Sequence, residues 1–397
     1  MTFYLIVVLA FFLSLGGFCA NDLIGYWRFD EGKGNFIMDS SGNGIKGIIK
    51  GARWVKGLLG YALEFDGKGG VVINSPLLDG MSELTVALWL YIKEDRLTSP
   101  LAKRDCIYRF IFAPEGDHFV VATENNPWYS AGTVLSFKGA PRGKWFFLAG
   151  TYTNGMLRVY VNGELVASRS GLSGNIKRSE GPLTLGLADA PNINDFVGRV
   201  DELRIYKRAL SEEEIRNLYN SYFEEKYLVS ASRKGGYRME ECDFPQGSLD
   251  WSSVDMAKSY VKGGVITFET VGQESAIVNN SLKLKLEGKD FIILEMSTSR
   301  GKEGRVFFKT TEGSRMVSFP IKSDGKFHKY CIKLSDYKEW RGELLALCIF
   351  PSDEKSSGRL KGVQIKDAQS APPQIEIQYF FSDLGVNRAR RPVKILA

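Results

Sequence analysis

Histidine is almost missing from this chain: two in 397 residues, His118 and His328, far apart in sequence. Two scattered histidines supply neither a metal-ligand spacing nor a Ser-His-Asp arrangement, so each reads as a surface or packing residue. Cysteine is sparse too, five in all with no C-x-x-C pair, which argues against zinc. Charge of one sign is lacking: 52 basic against 46 acidic residues leave a formal +6. No Lys/Arg run is long enough to form a nucleic-acid-binding arm, so the basic balance reads as a solvated surface. There is no G-x-S-x-G or phosphate-binding loop. After the first residues no apolar run is long enough to cross a bilayer as a helix. What is left is a binding or structural protein.

The one long apolar stretch, Leu5 to Leu15, precedes Gly16-Gly17-Phe18-Cys19-Ala20. Its length suits the core of a secretory signal peptide over residues 1–19, cut ahead of Ala20, with Gly17 and Cys19 as the small residues. The mature chain is then expected to be exported, secreted or at the cell surface. Cys106, Cys242, Cys331 and Cys348 remain, and for Cys331 and Cys348, both in apolar strand-like runs, buried free thiols are favoured over a disulfide.

What is abundant is glycine and phenylalanine, 42 and 25 residues, the stuff of tight turns and an aromatic sheet core. The organising stretch is Gly198 to Ser211, in which Val200, Leu203 and Ile205 supply the apolar positions of a strand. Ser211-Glu212-Glu213-Glu214 has the spacing of a capping box, and Ile215, Leu218, Tyr219 and Tyr222 then line one helix face. Short alternating segments with Gly/Asn/Asp turns fill the preceding 180 or so residues, the pattern of an antiparallel β-sandwich. Ile24 to Asp30 is expected to pair with Val200 to Tyr206, tying the ends of this domain together.

Six ordered segments carry a family resemblance. They are Leu23–Gly32, Met38–Gly44, Gly57–Gly67, Leu84–Leu90, Lys144–Tyr152 and Leu157–Leu165 with its Asn162-Gly163 turn, and the closing "GRVDELRIYKRALSEEEIRNLY" completes the pattern. Over residues 21–222 the chain resembles the LamG-like jelly rolls of the concanavalin A-like lectin/glucanase superfamily. A charged join, Tyr222 to Ser232, leads to a second β-sandwich over 228–370. There, Ser323–Tyr330 and Trp340-Arg341-Gly342 look like galactose-binding-like carbohydrate-binding modules. Ala371-Pro372-Pro373 opens a linker, and 371–397 reads as the start of a further domain or a tail. The fold class is therefore all-β, an antiparallel jelly-roll sandwich followed by a second sandwich.

Relatives in this superfamily include glucanases that place paired carboxylates on one strand face. Glu64-Phe65-Asp66 is the nearest echo, but no third carboxylate follows, and Glu240-Glu241-Cys242-Asp243 fails likewise. A strand end with a D-G turn explains the first as well, and no enzyme is expected. Trp128 and Tyr129, in the turn-rich Asn125-Asn126-Pro127-Trp128-Tyr129, could stack on sugar faces or fold back on the protein. Trp27, Trp89 and Trp145 lie in strong strand patterns and are expected in the core. Asp39 and Asn43 in an oxygen-rich loop, with Asp201 and Asp30 at strand ends, could hold a structural Ca²⁺ or serve only Asx-turn and strand-end hydrogen bonds. The resemblance adds weight to calcium, since many LamG-like domains carry one where their termini meet. The expected partner is a carbohydrate or glycoprotein. Alternatives are an accessory portion of a polysaccharide-degrading enzyme, or an adhesion spacer.

Overall fold

Alternation along Val197–Tyr206 has the consequence expected of it: Val200, Leu203 and Ile205 are fully buried in one hydrophobic cluster. The computed structural model describes residues 22–105, 107–128, 130, 132–187, 193–229, 241–242 and 251–367. The expected signal peptide of residues 1–19, Cys106, Tyr129, the side chains of Glu241 and Cys242, the rest of the 240–243 carboxylate run and the 371–397 segment lie outside them. The chain divides into two compact units, 1–216 and 217–397.

In the first unit, one antiparallel sheet runs in the order Glu164–Ser170, Met156–Val161, Trp145–Thr153, Leu84–Ile92, Val197–Tyr206, Tyr61–Asp66, Arg53–Lys56. Leu23–Trp27 also pairs with the closing strand, Tyr26 opposite Arg204 and Trp27 opposite Leu203. The facing sheet runs Val134–Phe137, Asp117–Val121, Tyr108–Phe112, Thr98–Lys103, Leu183–Leu185, Gly70–Ile73, Gly47–Lys50, Phe36–Ile37. Asn162 and Gly163 both have positive φ, 52° and 81°, the two-residue turn that suits the right-handed twist of its hairpin. The helix Glu212–Phe223 starts on the expected box. The Ser211 hydroxyl accepts from the Glu214 amide at 3.2 Å, and Glu214 accepts from the Ser211 amide at 2.9 Å.

One tryptophan departs from expectation. Trp27 is in the core, its indole N–H donating to the Ile45 carbonyl. Trp89 is buried as expected, edge-on against Phe147, while Trp145 is half-buried and packs edge-on against Tyr91. Side chains alternate along a strand, so Leu88 and Leu90, with Phe146 and Leu148, take the inner face. Hydrophobic runs on both faces hid the parity.

The second unit is also a sandwich. One sheet orders Met256–Lys262, Val265–Thr270, Ser357–Lys366, Phe291–Thr298, His328–Lys333, and the other Ser252–Val254, Ala276–Asn279, Glu343–Phe350, Glu303–Thr310, Gly313–Pro320. Trp251, Phe268, Leu294, Phe308 and Trp340 are among its core residues. Cys331 and Cys348 are free thiols on different sheets, and burial pushes the Cys331 thiol up to about 11. The division between units falls inside the helix, ahead of the charged join seen in the sequence, because Tyr222, Phe223 and Tyr227 are buried with the second sandwich. Among the described residues no helix is long and apolar enough to cross a membrane.

Candidate functional site

The strand Tyr108–Phe112 turns Tyr108, Phe110 and Phe112 into the core, which leaves Arg109 on the opposite face. Arg109 is nevertheless fully buried, and its guanidinium carbon lies 4.2 Å from the centroid of the Trp128 ring. Desolvated stacking of this kind is worth about 2 kcal/mol and fixes the indole. Trp128 is half-buried, so it folds back over the sheet's outer face and still shows part of itself to solvent.

The turn that carries the indole is built from its own polar side chains. Thr123 Oγ1 accepts from the Asn126 amide at 3.0 Å, and Asn126 Oδ1 accepts from the Ser173 amide at 2.9 Å. Asn125 Nδ2 donates to Ser173 Oγ at 3.2 Å, and the Asn125 and Pro127 side chains are exposed. A half-exposed indole beside amides and hydroxyls on a pinned loop can meet an apolar sugar face and its flanking hydroxyls.

The four residues considered for calcium are only partly gathered. Asp39 Oδ1 accepts from the Tyr26 and Ser41 amides at 2.9 and 2.8 Å, and Oδ2 from the Ser41 hydroxyl at 2.7 Å. Asn43 Nδ2 donates to the Leu23 and Ile24 carbonyls at 3.0 and 2.9 Å. Both are tied to the first strand. Asp201 is different. It is fully buried, Oδ2 accepts from the Leu58 amide at 3.0 Å, and Oδ1 has no hydrogen-bond partner among the described residues. Burial, then the charges of Glu202 and Asp30, hold its carboxyl well above the usual carboxylate range. Asp30 Oδ1 itself accepts from the Tyr61 amide at 3.1 Å. Among the described residues no three His, Cys, Asp or Glu side chains converge to hold a metal ion. Asp30 lies near enough for its charge to be felt at Asp201, and its Oδ2 accepts from Arg28 Nε at 3.1 Å.

Sequence reasoning missed Glu202. At φ 52° it sits in a bulge where the pairing of the closing strand with Leu84–Ile92 shifts between Asp201 and Arg204. Its Oε2 accepts from the Tyr26 hydroxyl at 2.5 Å and from Arg204 Nη2 at 2.8 Å. The signal was present as an acidic pair ahead of Arg204, but nothing local reveals a bulge.

The glucanase-like Glu64 is clasped rather than poised. Arg53 Nε donates to Oε2 at 2.7 Å and Arg199 Nε to Oε1 at 2.9 Å, from the two strands flanking its own. Burial pushes its pKa up, but the two arginines outweigh that and hold it below the usual carboxylate range. Asp66 accepts from the Lys68 amide at 3.1 Å in the expected turn. His118 contacts Ser136 Oγ and His328 contacts Asp324 Oδ1, in different units.

Residues 65–216 match the model of the concanavalin A-like lectin/glucanases superfamily, and the first unit has that family's jelly-roll sandwich. The chain is 28% identical over 184 residues, 42% of its length, to the Sushi, von Willebrand factor type A, EGF and pentraxin domain-containing protein 1 of Rattus norvegicus. It is 36% identical over 75 residues, 18% of its length, to the Paraclostridial mosquitocidal protein 1 of Paraclostridium bifermentans. These matches span only 5% and 6% of those relatives. The solved binding domain of the mosquitocidal protein aligns with 82% of this chain and 97% of its own, at 14% identity and a TM-score of 0.44.

Proposed function

We propose that this protein is an exported, non-catalytic recognition protein for carbohydrate or glycan-bearing partners. The observation that carries the reading is Trp128, an indole held on a buried guanidinium and half-exposed among loop amides and hydroxyls. The lectin-type superfamily of residues 65–216 supports it. Glu64 supports the non-catalytic half: a carboxylate kept ionised by two arginines is neither a proton donor nor a free nucleophile. Calcium enters only through Asp201 and Asp30, as a brace for the fold, and sugar contact is not made to depend on it.

A glycan array probed with the full chain tests this. At least one carbohydrate class is expected to bind, and Trp128→Ala to weaken that binding about fivefold, the worth of one stacked ring at about 1 kcal/mol. Silence across the array, together with self-association, would leave an adhesion spacer instead.

A further inference from the structure

In the second unit the turn 285–290 and the loop 335–343 enclose a cleft of about 530 Å³. That volume lies inside the roughly 300–1,000 Å³ range of small-molecule sites. Its walls are tied together by main-chain bonds. The Trp340 indole N–H donates to the Lys289 carbonyl at 2.7 Å, the Leu286 amide to the Gly342 carbonyl at 3.0 Å, and the Leu334 amide to the Asp290 carbonyl at 2.8 Å. Trp340 is almost wholly buried and packs edge-on against Phe308, so it is the floor of a preformed cleft.

The rim differs from the molecule's buried carboxylate sites, where Glu64 is matched by two arginines, Glu295 by Lys361, and Glu274 by Lys226 and Arg305. Around the cleft, the Lys285, Glu287, Lys289, Arg341 and Glu343 side chains make no hydrogen bond or salt bridge among the described residues. Lys285 and Glu343 are cross-strand partners and still do not close on each other. Three cations and two carboxylates therefore line the cleft with hydrogen-bonding capacity unused. An anionic ligand would meet Glu287 and Glu343, and a cationic one Lys285, Lys289 and Arg341. A neutral molecule rich in adjacent hydroxyls can donate to the carboxylates and accept from the cations at once.

We infer that this cleft is a second saccharide site, built for a neutral sugar of one to two rings and distinct from the Trp128 loop. The inference rests on the glycan-recognition reading but places recognition on other residues, which lets the two fail separately. Lactose, xylotriose and maltotriose serve as probes, titrated into the full chain by calorimetry and saturation-transfer NMR. At least one is expected to bind, and Arg341→Ala and Glu343→Ala each to weaken it about fivefold or more. Both rim side chains are unpaired, so these variants should melt like the parent. A tenfold rise in salt should also leave a neutral ligand's affinity within about twofold. Binding that survives both rim variants and disappears with Trp128→Ala overturns this site and leaves the general reading standing. So does binding confined to a sulfated oligosaccharide with steep salt dependence. Failure of all three probes, beside a positive array, overturns the cleft alone.

Discussion

The two sandwiches are closed by different means. The first is closed by its own ends: Leu23–Trp27 lies along Val197–Tyr206, and a capping box then starts the helix. The second is closed by a segment that precedes its strands. Phe223 and Tyr227 pack on Phe307 and Phe350, the outer face of one sheet. Beside them Glu274 is buried and takes the Tyr222 and Tyr227 hydroxyls at 3.1 and 2.8 Å, with Lys226 at 3.5 Å. Lys226 also lies 3.1 Å from Asp255. Burial pushes the Glu274 pKa up, but Lys226 and Arg305 outweigh it and bring it below the usual carboxylate range. In the first unit the closure is a strand pairing, which alternation announces. In the second it is an aromatic and ionic lid whose partners stand from about 30 to nearly 130 residues away.

The sharpest way to break this comparison is Phe223→Ala. Phe223 is fully buried, with ring centroids 5.6 Å from Phe307 and 6.0 Å from Phe350. Truncating such a ring costs about 3–5 kcal/mol. Denaturant unfolding of the full chain, followed at each unit's tryptophans, should show the second unit's transition falling by that much. An unchanged transition would mean that the segment covers the sheet without stabilising it.

That contrast also explains what the sequence could and could not say. The jelly roll was legible because its devices are local: the alternation at 200–205, the Asn162-Gly163 turn, Ser211 three residues ahead of Glu214. The lid was not. Glu224-Glu225-Lys226 has the composition of a solvated join, and nothing nearby reveals that Lys226 is 8% exposed between Asp255 and Glu274. Trp128 was legible as a loop aromatic, but its Arg109 platform comes from a strand whose parity cannot be known until the sheet is built. Asp201 was legible as a strand acid, but the amide its Oδ2 accepts from stands some 140 residues earlier in the chain, at Leu58.

A second, smaller effect sharpens the account of the first unit's closure. If Asp201 and Asp30 brace a cation there, Ca²⁺ at about a hundredfold over its dissociation constant should stabilise the fold by about 2.7 kcal/mol. Thermal melts of metal-free full chain, with and without added Ca²⁺ and then with chelator, measure it. The first unit's transition is expected to rise with Ca²⁺ and fall with chelator, and Asp201→Asn to remove most of that response. Identical melts in all three conditions would leave the closure to strand pairing and hydrogen bonds alone.

The smallest effect concerns Glu64, the first unit's counterpart to Glu274. Charge-assisted hydrogen bonds of its kind are worth about 1.5–3 kcal/mol, and the exposure of the Arg53 side chain, 74%, places the Glu64→Gln loss near the lower figure. The pH dependence has a definite sign. A carboxylate whose folded pKa lies below its unfolded value near about 4.3 stabilises the fold fully above that value, and less and less as pH falls through the folded one. The stability gap between parent and Glu64→Gln should therefore be widest at neutral pH and close in acid. Glu274→Gln should show the same sign in the second unit. Neither variant should change the release of reducing sugar from β-glucan, since neither carboxylate is free to attack or to protonate a leaving group. A gap that widens in acid would show that Glu64 is protonated in the folded protein and its arginine clasp is not what holds it. Hydrolysis abolished by Glu64→Gln would put chemistry back on this strand.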